Sequence, residues 1–100
     1  MVDLCQLQKE IVNNKRKQGF NTVNLDTEFL LAYGEVTEAY NAWRFRKEDL
    51  GEEIADVAIY LLGISELLDI NLEEEICKKI EKNSHRKYQF ADGVPVRVEG

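Results

Sequence analysis

The chain has 100 residues, 44% of them hydrophobic, and 19 acidic against 13 basic residues give a net charge of -6. That length fits one domain, residues 1–100, with a modest core, so a homodimer or homotetramer that completes the core is expected. The acidity argues against a binder of nucleic acid polymers, which needs a basic surface, although a metal ion can reverse the local sign for a single nucleotide.

Cys5 and Cys77 are too few and too far apart for a disulfide framework, and no Cys and His cluster has zinc spacing. The first residues, MVDLCQLQKEIVNNKRKQ, alternate apolar and charged side chains and lack the apolar run of a signal peptide. Nothing approaches the ~18 apolar residues of a membrane span. These features predict a cytoplasmic protein with reduced thiols and no membrane association.

Val2, Leu4, Leu7, Ile11 and Val12 recur at helical spacing and predict a first helix over about residues 2–18, ended by Gly19. After the loop GFNTVN, Asn24 or Asp26 is placed to cap a second helix. Its apolar stripe, Phe29, Tyr33, Val36, Tyr40 and Trp43, is expected to face the core. A short basic link, Arg44 to Lys47, leads into a third helix over about residues 48–69, apolar almost all round and therefore expected to be buried.

Asn71 with Glu74 resembles a capping box and opens a fourth helix through Ile76, Cys77 and Ile80, expected to fray near Tyr88. In the tail, Val94, Val96 and Val98 alternate like a strand, and Pro95 restricts it to an edge or an extended arm. The fold class is all-α: a four-helix bundle with a short extended C-terminal tail.

The chemistry-bearing residues are acidic. Glu35 and Glu38 are three apart on the second helix, and Glu53 and Asp56 are three apart on the third, so each pair shares a helical face. Taken alone, such pairs are ordinary on solvated helices. Glu53, Asp56 and Tyr60, however, form one stripe on a helix apolar elsewhere, and Glu35 and Glu38 share a sector with Leu31 and Ala42. Carboxylates flanking a core are costly unless paired, protonated or bound to a cation. A hairpin of the two helices could bring the pairs together, and hard oxygen donors suit magnesium or manganese. Ion pairing with Arg44, Arg46 or Lys47 is the purely structural reading of the same acids.

The ordered pattern Glu35-Val-Thr-Glu38, fourteen residues, Glu53-Ile-Ala-Asp56 resembles the ExxE…ExxD signature of the MazG-like nucleotide pyrophosphohydrolase superfamily. GEEIADVAIYLLGIS resembles the family's third-helix segment, with Tyr60 four residues after the aspartate, and Lys79, Asn83 and Arg86 match the family's later Lys, Asn and Arg. The resemblance spans roughly residues 19–90. Gly34 stands where the family often has a second acid, and Thr37 where Gly is frequent.

This resemblance implies a hydrolase of phosphoric anhydride bonds that converts a nucleoside or deoxynucleoside triphosphate to the monophosphate and pyrophosphate, with house-cleaning of non-standard nucleotides as one role. It implies Mg2+, replaceable by Mn2+, held by the catalytic carboxylates Glu35, Glu38, Glu53 and Asp56. It also implies substrate contacts from Tyr60, Lys79, Asn83 and Arg86. Two alternatives stay open. One is a non-catalytic acidic helical module that binds a protein partner. The other is a phosphoribosyl-ATP pyrophosphohydrolase-like enzyme, disfavoured because the aspartate-leucine-x-tyrosine-histidine context is absent around Asp56.

The run Lys15, Arg16 and Lys17 reads as a solvated helix end. Phe20, Trp43 and Tyr60 could each stack on a base, but aromatic residues at helical spacing are usually core, so only Tyr60, on the carboxylate stripe, is read that way, and His85 reads as a surface residue.

Overall fold

A computed structural model describes residues 2–91 and 94–99, and the side chains of residues 2–86 and of Val98. Four helices come first: α1 (Leu4–Lys17), α2 (Leu25–Arg44), α3 (Leu50–Leu67) and α4 (Leu72–Ser84). Strands β1 (Lys87–Ala91) and β2 (Val94–Glu99) follow as an antiparallel hairpin. The tail is extended, as the valine alternation implies. The fourth helix stops at Ser84 rather than near Tyr88, because β1 begins at Lys87. Among the described residues no helix is long and apolar enough to cross a membrane.

The helix starts follow local chemistry. Asp3, Asn24 and Asn71 each accept a hydrogen bond from the backbone N–H three residues on, satisfying one of the donors a helix start leaves open. The expected capping box at Asn71 forms by half: Asn71 accepts from Glu74 N–H, while the Glu74 carboxylate turns to Lys78 at 2.8 Å. α1 ends in a Schellman turn, with Phe20 N–H on Lys15 C=O and Gly19 N–H on Arg16 C=O, which Gly19 permits at φ 75°. α2 and α3 end in the same turn, with Arg46 and Asp69 in the left-handed conformation instead of glycine.

α2 and α3 pack along each other as a hairpin, α1 lies on α3, and α4 leans on the start of α1. Gly63 marks the close approach of α1 to α3: a Cβ there would meet the Ile11 methyl at 3.3 Å. Gln8, almost fully buried, fastens the turn into α4 by donating to Ile70 C=O at 2.8 Å and accepting from Leu72 N–H at 3.0 Å.

The core differs from the expectation. Among the described residues the buried apolar side chains are Val12, Ala32, Ala42, Leu62 and Ile64. The expected core stripe of α2 is on the surface, with Tyr33 71% and Trp43 64% exposed and Phe29, Val36 and Tyr40 exposed beside them. The small residues Ala32 and Ala42 face inward instead, and let α2 approach its neighbours closely. α3 is likewise buried only over Leu62–Ser65, while Ile54, Ile59 and Leu61 are exposed. Much apolar surface is left exposed on the described residues of α2 and α3. With a radius of gyration of 16.7 Å, against ~13 Å for a compact 100-residue domain, the single chain is open.

Candidate metal centre

The hairpin of α2 and α3 brings acids from both helices to one point. One carboxylate oxygen from each of Glu35, Glu38 and Glu53 lies within 4.8 Å of the other two. The i, i+3 spacing sets Glu35 and Glu38 on one face of α2, and the packing of that face on α3 delivers Glu53. Glu38 is exposed, and its charge acts on both neighbours. Asp56 stands outside the three-residue cluster, exposed, but near enough for its charge to act on Glu35 and Glu53.

Two atoms set this cluster apart from a solvated acidic face. Oε2 of Glu35 and Oε2 of Glu53 are shut off from solvent and have no hydrogen-bond partner among the described residues. A buried oxygen without a donor is destabilising, and a carboxylate oxygen more so. Burial, followed by the charges of Glu38, Asp56 and Glu53, raises the pKa of Glu35 above the usual carboxylate range. Glu53 is raised by burial and then by Glu38, Asp49 and Asp56. Both groups therefore lose their protons less readily in the fold than in the unfolded chain unless positive charge is supplied.

Tyr60, half-buried on α3, connects the acids to the end of α1. Burial and then the charges of Glu35, Asp56 and Glu38 raise its pKa. Its ring lies 5.1 Å below the Lys15 ammonium. Lys15 is turned inward and ion-paired with Glu28, which is 2% exposed, so the reading of Lys15 as part of a solvated helix end is corrected; Arg16 and Lys17 do stay exposed. Asn21 donates to the same Glu28 at 3.2 Å and organises the 19–24 loop through Asn24. Nothing in the spacing of α2 singles out Glu28, because its role depends on a lysine thirteen positions earlier.

The residues expected to contact substrate on the fourth helix are placed differently. Lys79 and Asn83 lie on α4, which packs chiefly against α1. Arg86 lies beyond the helix, since α4 ends two residues earlier, at Ser84. It is half-buried, and its Nε has no hydrogen-bond partner among the described residues. Phe20 is 57% exposed and is not a core residue, whereas His85 is on the surface as read, 2.7 Å from Glu81.

A second grouping, Asp3, Cys5 and Glu73, is engaged in holding helix starts. Asp3 caps α1, and Glu73 accepts from Leu4 N–H at 3.2 Å.

Neither the family models nor the curated proteins nor the solved structures include a match to this chain.

Proposed function

We propose that the chain is a magnesium-dependent nucleoside triphosphate pyrophosphohydrolase of the MazG-like type. The observation that carries this reading is the pair of occluded, partnerless oxygens on Glu35 and Glu53 within the three-carboxylate cluster. The donor set is all carboxylate, which fits a hard divalent cation, and Glu35, Glu38, Glu53 and Asp56 are the residues that would hold it. A bound magnesium supplies positive charge that polarises phosphate oxygens and acidifies water, with manganese as a substitute. One carboxylate of the four accepts the proton of the attacking water.

Tyr60 stands beside the acids for a substrate contact, and Lys79, Asn83 and Arg86 neutralise phosphate charge as the resemblance implies. The partnerless Nε of Arg86 supports a waiting acceptor. Arg86→Ala is expected to lower kcat/KM about tenfold or more, since a charge-assisted hydrogen bond is worth roughly 1.5–3 kcal/mol. Unchanged steady-state kinetics would remove Arg86 from the substrate site.

The exposed stripe from Phe29 to Trp43 supports a homo-oligomer whose partner covers α2. A mass of one chain by light scattering would reject it.

The test of the metal centre is melting temperature against pH, with and without magnesium. In chelator, the raised pKa values mean that the fold holds protons which the unfolded chain has already released. Stability therefore falls as pH rises from the ordinary carboxylate range through the raised values. Saturating magnesium should remove that fall and raise the melting temperature, by an amount worth ~2.7 kcal/mol at a hundred times Kd, with the gain growing as pH rises. A non-catalytic interaction module gives the same melting curve with and without the ion.

A further inference from the structure

The corner between α2 and α3 gathers three cations, Arg44, Arg46 and Lys47, around a cleft of about 530 Å³ that Ala42, Trp43 and Leu50 complete. That volume lies within the ~300–1,000 Å³ typical of small-molecule sites. Two ordinary reasons for cations on a surface do not account for these. The first is pairing with acids: among the described residues none of the three is ion-paired, although Glu48 and Asp49 follow directly. The second is the helix dipole, which accounts for Arg44 in the last turn of α2 but not for Arg46 and Lys47 beyond it.

The turn brings the charges to one place. Arg46 N–H donates to Trp43 C=O at 3.2 Å and Lys47 N–H to Ala42 C=O at 2.8 Å, which sets Arg46 at φ 56°, where glycine is usual. A guanidinium stands there at a backbone cost that glycine would not carry. The Arg44 guanidinium lies 5.6 Å over the Phe45 ring. Leu50 lines the cleft as the first residue of α3, and Asp49 makes no side-chain cap there, so the helix start adds to the same positive field. Ala42 is four residues past Glu38 and Leu50 three before Glu53, so the cleft lies about one helical turn from the carboxylate cluster and is distinct from it.

We propose that this corner binds a short polyphosphate anion, with Arg44, Arg46 and Lys47 holding the phosphate oxygens. Three cations around one cleft match a chain of linked phosphates, which carries several negative charges, better than a single carboxylate. The guanidinium fork fits two phosphate oxygens, and the lysine acts as a point charge. The net charge of -6 on the chain repels a long polyanion, so the ligand is short. The site needs neither magnesium nor turnover, and it stands or falls apart from the enzymatic reading.

Trp43, the only tryptophan, lines the cleft and serves as the reporter. Its fluorescence should change saturably as inorganic tripolyphosphate is titrated into the protein in metal-free buffer, with an affinity that falls as salt is raised. Arg44→Gln, Lys47→Gln and Arg46→Gly should each weaken Kd about tenfold or more, as expected for loss of a charge-assisted contact, with the helical fold kept. Arg46→Gly suits the left-handed turn, so its loss of binding cannot come from a collapsed corner. Lys9→Gln, at an exposed lysine on α1, makes the same change in net charge and should stay within twofold of wild type. Adenosine triphosphate that binds as tightly as tripolyphosphate assigns the site to the phosphate chain whatever carries it, and tripolyphosphate that binds far tighter assigns it to the free anion. No saturable change overturns the proposal, including a response lost because a partner covers the corner together with the α2 stripe. Equal weakening in Lys9→Gln, a response to adenosine alone, or a single-stranded oligonucleotide that binds tighter than tripolyphosphate overturns it as well.

Discussion

Glu53→Gln is expected to cut turnover by about a hundredfold or more, since even residues that only orient a metal ligand typically cost ~10–100-fold when replaced. The substitution keeps the shape of the side chain and removes one charge from the acidic cluster. Helix content should be unchanged. In chelator the variant should melt above the wild type, because the repulsion from Glu38, Asp49 and Asp56 is relieved. Asp56→Asn should lose activity in the same way. Full activity in either variant, measured as pyrophosphate release with magnesium, would make these acids structural.

The second large effect concerns stability. Glu28 is buried, and its ion pair with Lys15 joins the start of α2 to the end of α1. Burial pulls the Lys15 pKa down, so the ammonium is held in the fold at a desolvation cost. Glu28→Gln leaves the ammonium half-buried without its counter-charge, and breaking such a pair typically costs ~3–5 kcal/mol. At ~4–8 °C per kcal/mol for a domain of this size, the melting temperature should fall by at least about 12 °C. Replacing both residues, Lys15→Met with Glu28→Leu, should recover much of the loss, because an apolar pair of similar volume needs no counter-charge. A shift in Glu28→Gln of no more than about 1 kcal/mol would place the pair among ordinary surface ion pairs.

These two sites show what could be read from the chain and what could not. The i, i+3 spacing of Glu35 with Glu38 and of Glu53 with Asp56 is local, so the shared faces were legible, as were the caps at Asn24 and Asn71. The convergence of three acids with two occluded oxygens was not, because it depends on how α2 packs on α3. Helical periodicity marks side chains that avoid water without saying which surface covers them. That is why the Phe29 to Trp43 stripe was assigned to the core, while Ala32 and Ala42 fill that role.

Lys15 illustrates the same limit from the charged side. A basic run at a helix end favours the dipole whichever way its side chains turn, so nothing local separates Lys15 from Arg16 and Lys17. The partner that turns it inward, Glu28, sits one loop away. Phe20, which helical spacing reads as core, is 57% exposed just past the turn that Gly19 closes.

The most direct measurement of the central claim is the product set, followed by phosphorus nuclear magnetic resonance while a panel of nucleoside and deoxynucleoside triphosphates is incubated with the protein and magnesium. At least one of them should give monophosphate and pyrophosphate in equal amounts, with no turnover in chelator. Stepwise appearance of inorganic phosphate with diphosphate, or hydrolysis that continues undiminished in chelator, would contradict it.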